Sequence, residues 1–183
     1  MAGKANRDLC QRGDGFRGAF AGSLGSRNGF FLVIVMPEVR FYHLIRTGLE
    51  QALPELLEKA YGRGLRAVVR AERREELVRL SEALWAHRPE SFLPHGVNGQ
   101  DVREGQPIWL TEGMDEKEGD DVLFLVNVPD NKSIDSYDLI CEVFDGTQQT
   151  CVARARQRWT LYKEQGFALT YWQQGESGWE KKK

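Results

Sequence analysis

Apolar side chains recur along this chain with two different periods, one typical of strands and one typical of helices. Residues 38–44 (EVRFYHL) alternate polar and apolar side chains, which predicts a strand. Thr47 is the predicted N-cap of a first helix, and Gly62 and Gly64 end it. Pro54 is expected to kink or weaken its first turns. Within that helix the apolar residues at helical spacing are Leu49, Ala52, Leu53, Leu56, Leu57 and Ala60.

The same alternation continues towards the end of the chain. Residues 66–71 (RAVVRA) predict a second strand, residues 73–87 a second helix and residues 107–111 a short strand. Residues 122–128 (VLFLVNV) are nearly all apolar, as expected of a central strand covered on both faces. Two closing helices are predicted, over about 133–144 and 147–165. They place Cys141 and Cys151 on helices at core-facing positions.

Strands that alternate with helices predict an α/β domain with a mostly parallel sheet and right-handed crossovers. No linker divides residues 36–174, so we expect one domain there and a flexible tail over residues 175–183. Residues 1–35 differ from the rest, with seven glycines, five basic and two acidic residues. They are interpreted either as a disordered extension or as sequence translated ahead of a true start at Met36.

Composition excludes several classes of protein. The 183 residues are 41% hydrophobic and 28% charged, with a net charge of -2, so the chain is not a polycation built to coat nucleic acid. Residues 30–36 (FFLVIVM) are far shorter than the ~20 apolar residues that span a bilayer. Three cysteines form no CxxC pair, which favours reduced thiols and a cytoplasmic location.

Motifs for catalysis and phosphate binding are missing. The turn after the first strand has one glycine and no GxGxxG pattern, and GxxxxGK[ST] does not occur. His43, His87 and His95 are too scattered for a metal pair, and no serine lies in a nucleophile elbow. We therefore predict no catalytic residue, cofactor, metal or small-molecule substrate.

The last helix carries the best candidate for binding. At 100° per residue, one stripe about 60° wide contains Val152, Arg156, Trp159 and Lys163. An arginine fork beside an indole suits an acidic peptide that ends in a large apolar residue and a free carboxylate. The same stripe could stack single-stranded nucleic acid, or it could simply be a solvated helix face. Composition and spacing alone leave these interpretations open.

An ordered series of segments resembles the chi subunit family of bacterial DNA polymerase III. The series spans residues 38–172 and has no counterpart in residues 1–35. In chain order the segments are FYHL, SEALW, ESFLPHG, PIWLT, VLFLV, FDG, ARARQRWTLYKEQGF and TYWQQ.

This resemblance implies a single three-layer Rossmann-like α/β domain without nucleotide activity. It implies a non-catalytic accessory of the clamp loader, bound to the psi subunit and to the acidic C-terminal tail of single-stranded DNA-binding protein. Contact with single-stranded DNA is then indirect, and no membrane is involved. Arg156 and Trp159 match the tail-binding positions, Trp85 contributes from the second helix, and Phe92 matches a psi-binding position. Val152 replaces a lysine of the family pattern, and Lys163 could supply that charge.

Two other functions compete with this one. A small Rossmann-type nucleotide-dependent enzyme is disfavoured by the missing glycine cradle. A stand-alone single-strand DNA-binding module is disfavoured by the net negative charge and by the single aromatic residue in the stripe.

Overall fold

The structure is a computed structural model that describes residues 37–88, 90–113, 119–128, 134, 136–176 and 178–183. The predictions for residues 1–35 lie outside the described residues. Within the described ranges the strands are β1 (Glu38–Leu44), β2 (Ala67–Ala71), β3 (His95–Val97), β4 (Ile108–Thr111), β5 (Val122–Val126), β6 (Leu139–Asp145), β7 (Ala168–Gln174) and β8 (Trp179–Lys181). The helices are α1 (Leu49–Tyr61), α2 (Arg74–Trp85) and α3 (Gln149–Glu164).

The strands form one sheet in the order β3-β4-β2-β5-β6-β1-β7-β8. Every neighbouring pair is parallel except β7 and β8, which form an antiparallel hairpin at one edge. The predicted α/β architecture with a mostly parallel open sheet is confirmed. None of the helices in the described part of the chain is long and apolar enough to cross a membrane.

Helices cover both faces of this sheet. Because successive side chains of a strand point to opposite faces, Val68 and Val69 of β2 belong to different apolar clusters. The cluster with Val69 contains the apolar faces of α1 and α2, and the cluster with Val68 contains that of α3. Every residue of β5 is buried, as predicted for a central strand.

The helix predicted over residues 133–144 is wrong where the structure describes it. Residues 139–145 (LICEVFD) form strand β6, which pairs in parallel with β1 and β5. Cys141 is therefore a buried strand residue, whereas Cys151 does lie on a helix, half-buried on α3. The prediction failed because Glu142 interrupts the apolar run, yet Glu142 is completely buried in the structure.

The carboxyl-terminal residues also differ from the prediction. A flexible tail is predicted over residues 175–183, but Trp179–Lys181 pair with β7 as β8. A short strand with charged residues gives no periodic signal, so only its partner strand makes it recognisable. Strands β3 and β7 are likewise absent from the elements predicted above.

The predicted N-cap of α1 is corrected as well. Gly48 precedes the helix, and no side chain caps it. Instead, Thr47 Oγ1 accepts a hydrogen bond from Gln174 Nε2 at 2.6 Å. The side-chain oxygen of Gln174 accepts from the backbone amides of residues 45–47, so β7 fixes the turn between β1 and α1. Pro54 lies inside α1, which continues past it.

Candidate functional site

Helix α3 follows β6 after a short turn whose residues bond to Asp145, the last residue of that strand. The Asp145 carboxylate accepts hydrogen bonds from the backbone amide and the hydroxyl of Thr147, at 2.8 and 2.7 Å. It also accepts one from the Gln148 side chain at 3.0 Å. These bonds fix the local turn where the chain leaves β6 and enters α3.

A buried ion pair then fixes the rotation of α3 about its own axis. Arg158 Nη2 lies 2.8 Å from Glu142 Oε2, and Tyr162 Oη donates to Glu142 Oε1 at 2.9 Å. Arg158 Nη1 donates to the Val128 carbonyl at 2.5 Å. Burial raises the pKa of Glu142, while Arg158 and Tyr162 act in the opposite direction. Holding this arginine inward leaves Trp159, the next residue, half-buried at the side of the helix.

A cavity of about 500 Å³ lies beside α3 on the same face of the sheet. It is lined by α3, by three strands and by the last two residues of the chain. The lining residues are Phe41, His43, Phe144, Val152, Ala155, Arg156, Trp159, Thr160, Tyr171, Lys182 and Lys183. We call this cavity the α3 pocket.

Aromatic rings form much of the α3 pocket. The Trp159 ring lies 5.1 Å from Phe41 and 6.3 Å from Tyr171, in tilted and edge-on arrangements. His43 stacks on Phe144 at 4.9 Å, and its Nδ1 lies 2.5 Å from Tyr171 Oη. Such a floor accepts a large apolar side chain while offering polar groups at its edge.

The charged side chains among the described residues that line the α3 pocket are all positive. Arg156, Lys182 and Lys183 lie at its wall, and no acidic side chain is among the described residues that line it. Lys183 Nζ lies 5.7 Å above the centre of the Trp159 ring. Burial is the main cause that lowers the pKa of His43; the Gly146 backbone and the Asp145 charge oppose this shift, and the Arg156 charge adds to it. The pocket is therefore suited to an anionic ligand with an apolar end.

The predicted binding residues divide between two places. Val152, Arg156 and Trp159 come together in the α3 pocket. Lys163 is exposed on the same helix but is not among the residues that line the pocket. Trp85 ends α2, which packs on the opposite face of the sheet, so the structure does not bring it to this pocket.

Trp85 instead belongs to a second exposed surface with Phe92. The two rings lie 5.6 Å apart, and their side chains are 63% and 64% exposed. Trp85 also packs against His95, whose ring nitrogens bond the Leu93 carbonyl at 2.8 Å and Ser81 Oγ at 3.0 Å. We call Trp85 and Phe92 the aromatic pair. Two large aromatic side chains exposed next to each other make this a candidate interaction surface.

The family model described as "DNA polymerase III chi subunit, HolC" matches residues 36–170. The chain belongs to this family. Chi is an accessory, non-catalytic subunit of DNA polymerase III. A subunit of a replicative polymerase without chemistry of its own must act through what it binds, and the two exposed surfaces are where that binding is expected.

Two curated relatives agree with the family assignment. DNA polymerase III subunit chi of Escherichia coli (strain K12) is 28% identical over 128 residues, which cover 67% of this chain and 84% of the relative. Probable DNA polymerase III subunit chi of Rickettsia prowazekii (strain Madrid E) is 24% identical over 95 residues, covering 52% and 58%.

Several residues of the α3 pocket were not singled out in the sequence. Phe41 and His43 are two apart in β1, so their common face could have been deduced from strand periodicity. Tyr171 stands in the TYWQQ segment, one residue beyond the family-model match, and its strand was not predicted. The sequence did not identify Lys182 and Lys183 as pocket residues, because a run of terminal lysines is ordinarily solvated. They reach the pocket only because the β7–β8 hairpin folds back towards it.

Proposed function

We propose that this chi subunit connects two protein partners, each held on a different face of the sheet. The α3 pocket binds the acidic C-terminal tail of single-stranded DNA-binding protein, and the aromatic pair binds the psi subunit of the clamp loader. The observation that carries the proposal is the α3 pocket, in which Arg156 stands beside an aromatic floor and no described lining residue is acidic. The protein acts in the cytoplasm and reaches single-stranded DNA indirectly, through the protein that coats it.

The chemistry of the pocket fits a terminal carboxylate next to an apolar side chain. Arg156 offers a planar fork of N–H donors that can bind both oxygens of a carboxylate. Trp159 and Phe41 provide flat apolar surface beside that fork. In a peptide that ends in a large apolar residue, the free carboxylate and the apolar side chain belong to the same residue. An internal peptide segment has no such carboxylate.

The residues that line the α3 pocket also change which residues of α3 we propose to bind the tail. Val152 lines the apolar wall, whereas Lys163, expected to compensate for it, lies outside the lining. The tail-binding residues we propose on α3 are therefore Val152, Arg156 and Trp159. Lys163 is retained only as a distant positive charge.

The aromatic pair suits a partner that buries apolar surface. Trp85 and Phe92 are exposed next to each other, and exposed aromatic residues of this kind commonly dominate the energy of protein interfaces. Trp85 was expected to contribute to tail binding from the second helix. Its contact with Phe92 supports assigning it to psi instead, so psi and the tail would share no residue.

A titration with a fluorescent acidic peptide ending in Pro-Phe tests the tail site. We expect the full chain to bind the free-carboxylate form and to bind its C-terminal amide much more weakly. Arg156→Ala should weaken binding by about tenfold or more, because a charge-assisted bond contributes about 1.5–3 kcal/mol. Raising the salt concentration should weaken the wild-type complex.

The matched control is Arg154→Ala, which removes an exposed arginine from α3 that does not line the α3 pocket. It should change the affinity by less than about twofold. Equal losses in the two variants would mean that only the overall charge matters, which would contradict a specific site. A single-stranded DNA oligonucleotide that binds the chain more tightly than the peptide would favour a DNA-binding module instead.

A further inference from the structure

The carboxyl-terminal hairpin is anchored to the sheet by backbone bonds and by a tryptophan. Gly175 N donates to the Gly178 carbonyl at 2.6 Å across the turn, and Gly178 has a φ of +127°, which favours glycine. Trp179 packs edge-on against Tyr42 of β1 with ring centres 4.9 Å apart. The last residues of the chain therefore occupy a defined place at the sheet edge.

Backbone bonds continue beyond β8 and hold the final lysines next to the α3 pocket. Lys182 N donates to the Tyr171 carbonyl at 2.8 Å, and Tyr171 N donates to the Lys183 carbonyl at 3.0 Å. Tyr171 is itself part of the pocket lining, so its neighbours Lys182 and Lys183 reach the same cavity.

Strand alternation separates Lys182 from Lys181, and Lys183, which lies beyond the end of β8, reaches the pocket through its bond to Tyr171. Trp179 and Lys181 are two apart in β8 and share a face, and Trp179 packs against the apolar cluster of α1 and α2. On that face the Arg40 hydrogen bond lowers the pKa of Glu38, and the Lys181 charge lowers it further. Lys182 lines the α3 pocket, whereas Lys181 does not. Lys181 is therefore an exposed cation on the same hairpin that is directed away from the pocket.

We propose that Lys182 and Lys183 are binding residues of the α3 pocket, and that they contact the acidic residues that precede the terminal residue of the bound tail. This inference rests on the proposed function, in which Arg156 holds the terminal carboxylate. With Val152 in the stripe, α3 contributes one cation to the pocket lining, and the hairpin adds two from another element. Both lysines lie beyond residues 36–170, so the family match does not include them.

Glu180 reduces the positive charge that Lys182 brings to the α3 pocket. Its carboxylate lies 2.6 Å from Lys182 Nζ and offsets part of the lysine charge. The hydrogen bond and the charge of Lys182 lower the pKa of Glu180, so this carboxylate is ionised at neutral pH. An acidic ligand must compete with Glu180 for Lys182, and removing the Glu180 charge should strengthen binding.

The test compares full-length variants with the same fluorescent peptide at low salt. Lys182→Ala combined with Lys183→Ala should weaken binding about three- to tenfold, whereas Lys181→Ala should change it by less than about twofold. Glu180→Gln should tighten binding by about two- to threefold. All the replaced side chains are exposed, and a thermal melt of each variant checks that it folds.

A second peptide separates this inference from the proposed function. It keeps the terminal Pro-Phe and its carboxylate, but its acidic residues are replaced by Asn and Gln. The double lysine variant should bind this peptide as the wild type does, whereas Arg156→Ala should still bind it more weakly. Equal effects of the double variant and Lys181→Ala, with Arg156→Ala still impaired, would overturn the inference alone. No binding of either peptide to the wild type would overturn both.

Discussion

At the scale of single residues, one buried glutamate holds α3 in the rotation that brings its binding residues to the α3 pocket. Glu142 is fully buried in β6, and Arg158 and Tyr162 of α3 both bond its carboxylate. Arg156 and Trp159 lie two residues before and one residue after Arg158, so their directions depend on this buried pair. A polar group in the core thus fixes the orientation of a binding surface outside it.

Replacing Arg158 with methionine should destabilise the protein by about 3–5 kcal/mol, because it leaves the Glu142 charge buried without its partner. Urea unfolding followed by circular dichroism measures the loss. The double variant Arg158→Met with Glu142→Leu should recover a large part of it, since no unpaired charge remains. A loss below about 1 kcal/mol in the single variant would contradict the assigned role.

His43 should make tail binding depend on pH. In the free protein burial lowers its pKa most, the Gly146 backbone and Asp145 oppose this, and the Arg156 charge lowers it as well. A carboxylate bound at Arg156 should raise this pKa. Because the complex then holds the proton more tightly, affinity should increase as pH falls through the region below 6.5. We expect an increase of about two- to fivefold between pH values of about 7.5 and 5.5.

The variant His43→Gln, which cannot take up this proton, is the control for that measurement. Its peptide affinity should vary less over the same pH range. Asp145, Tyr171 and Arg156 also act near His43, and none of them is altered in this variant. An unchanged pH dependence in His43→Gln would assign the effect to another group.

At the scale of elements, the turn between β6 and α3 leaves no room for a side chain. A Cβ on Gly146 would collide with the His43 ring and lie 2.6 Å from the Leu44 carbonyl oxygen. Gly146 N also donates to that oxygen at 2.7 Å. The close approach explains the glycine of the FDG segment, and it joins the pocket floor to the start of α3.

Gly146→Ala should therefore cost about 1–3 kcal/mol of stability and weaken peptide binding, because His43 must move. Chemical denaturation and the peptide titration measure the two effects. Gly62→Ala is the comparison, since that residue already has helical backbone angles, with φ at -63°, and lies at the end of α1. If the two substitutions have equal effects on peptide affinity, the close approach at Gly146 does not shape the pocket.

The elements that could be predicted are those with a clear period or a continuous apolar run. Strand β1 and helices α1, α2 and α3 were predicted near their observed positions because their apolar residues repeat as the element requires. Strand β5 was predicted because nearly all its residues are apolar. Strand β6 was mistaken for a helix because buried Glu142 mimics the polar face of one. Its partners on α3 are distant in sequence, so no local pattern identifies them.

The site was predicted only in part, because some of its residues come together only through contacts between elements that are distant in sequence. Helical spacing brought Val152, Arg156 and Trp159 together, and the structure places all three in one pocket. Spacing could not locate Trp85, because the face of the sheet on which α2 packs depends on the crossovers of the whole chain. It could not find Lys182 and Lys183, because they reach the pocket only through the pairing of β8 with β7.

At the scale of the whole molecule, the sheet separates the two proposed binding surfaces. The α3 pocket lies on the face that carries α3, and the aromatic pair lies at the end of α2, on the opposite face. Because they share no residue, each partner should bind without affecting the other. A subunit arranged in this way can hold a partner on each side without any chemistry of its own.

The most direct test of this account measures both partners on the same protein. Purified chain is titrated with the fluorescent tail peptide in the presence and absence of saturating psi subunit. We predict the same peptide affinity, within about twofold, in both titrations. Arg156→Ala should lose the peptide and keep psi, and Phe92→Ala should do the reverse. Competition between psi and the peptide, or loss of both partners in either variant, would contradict the proposed bridge.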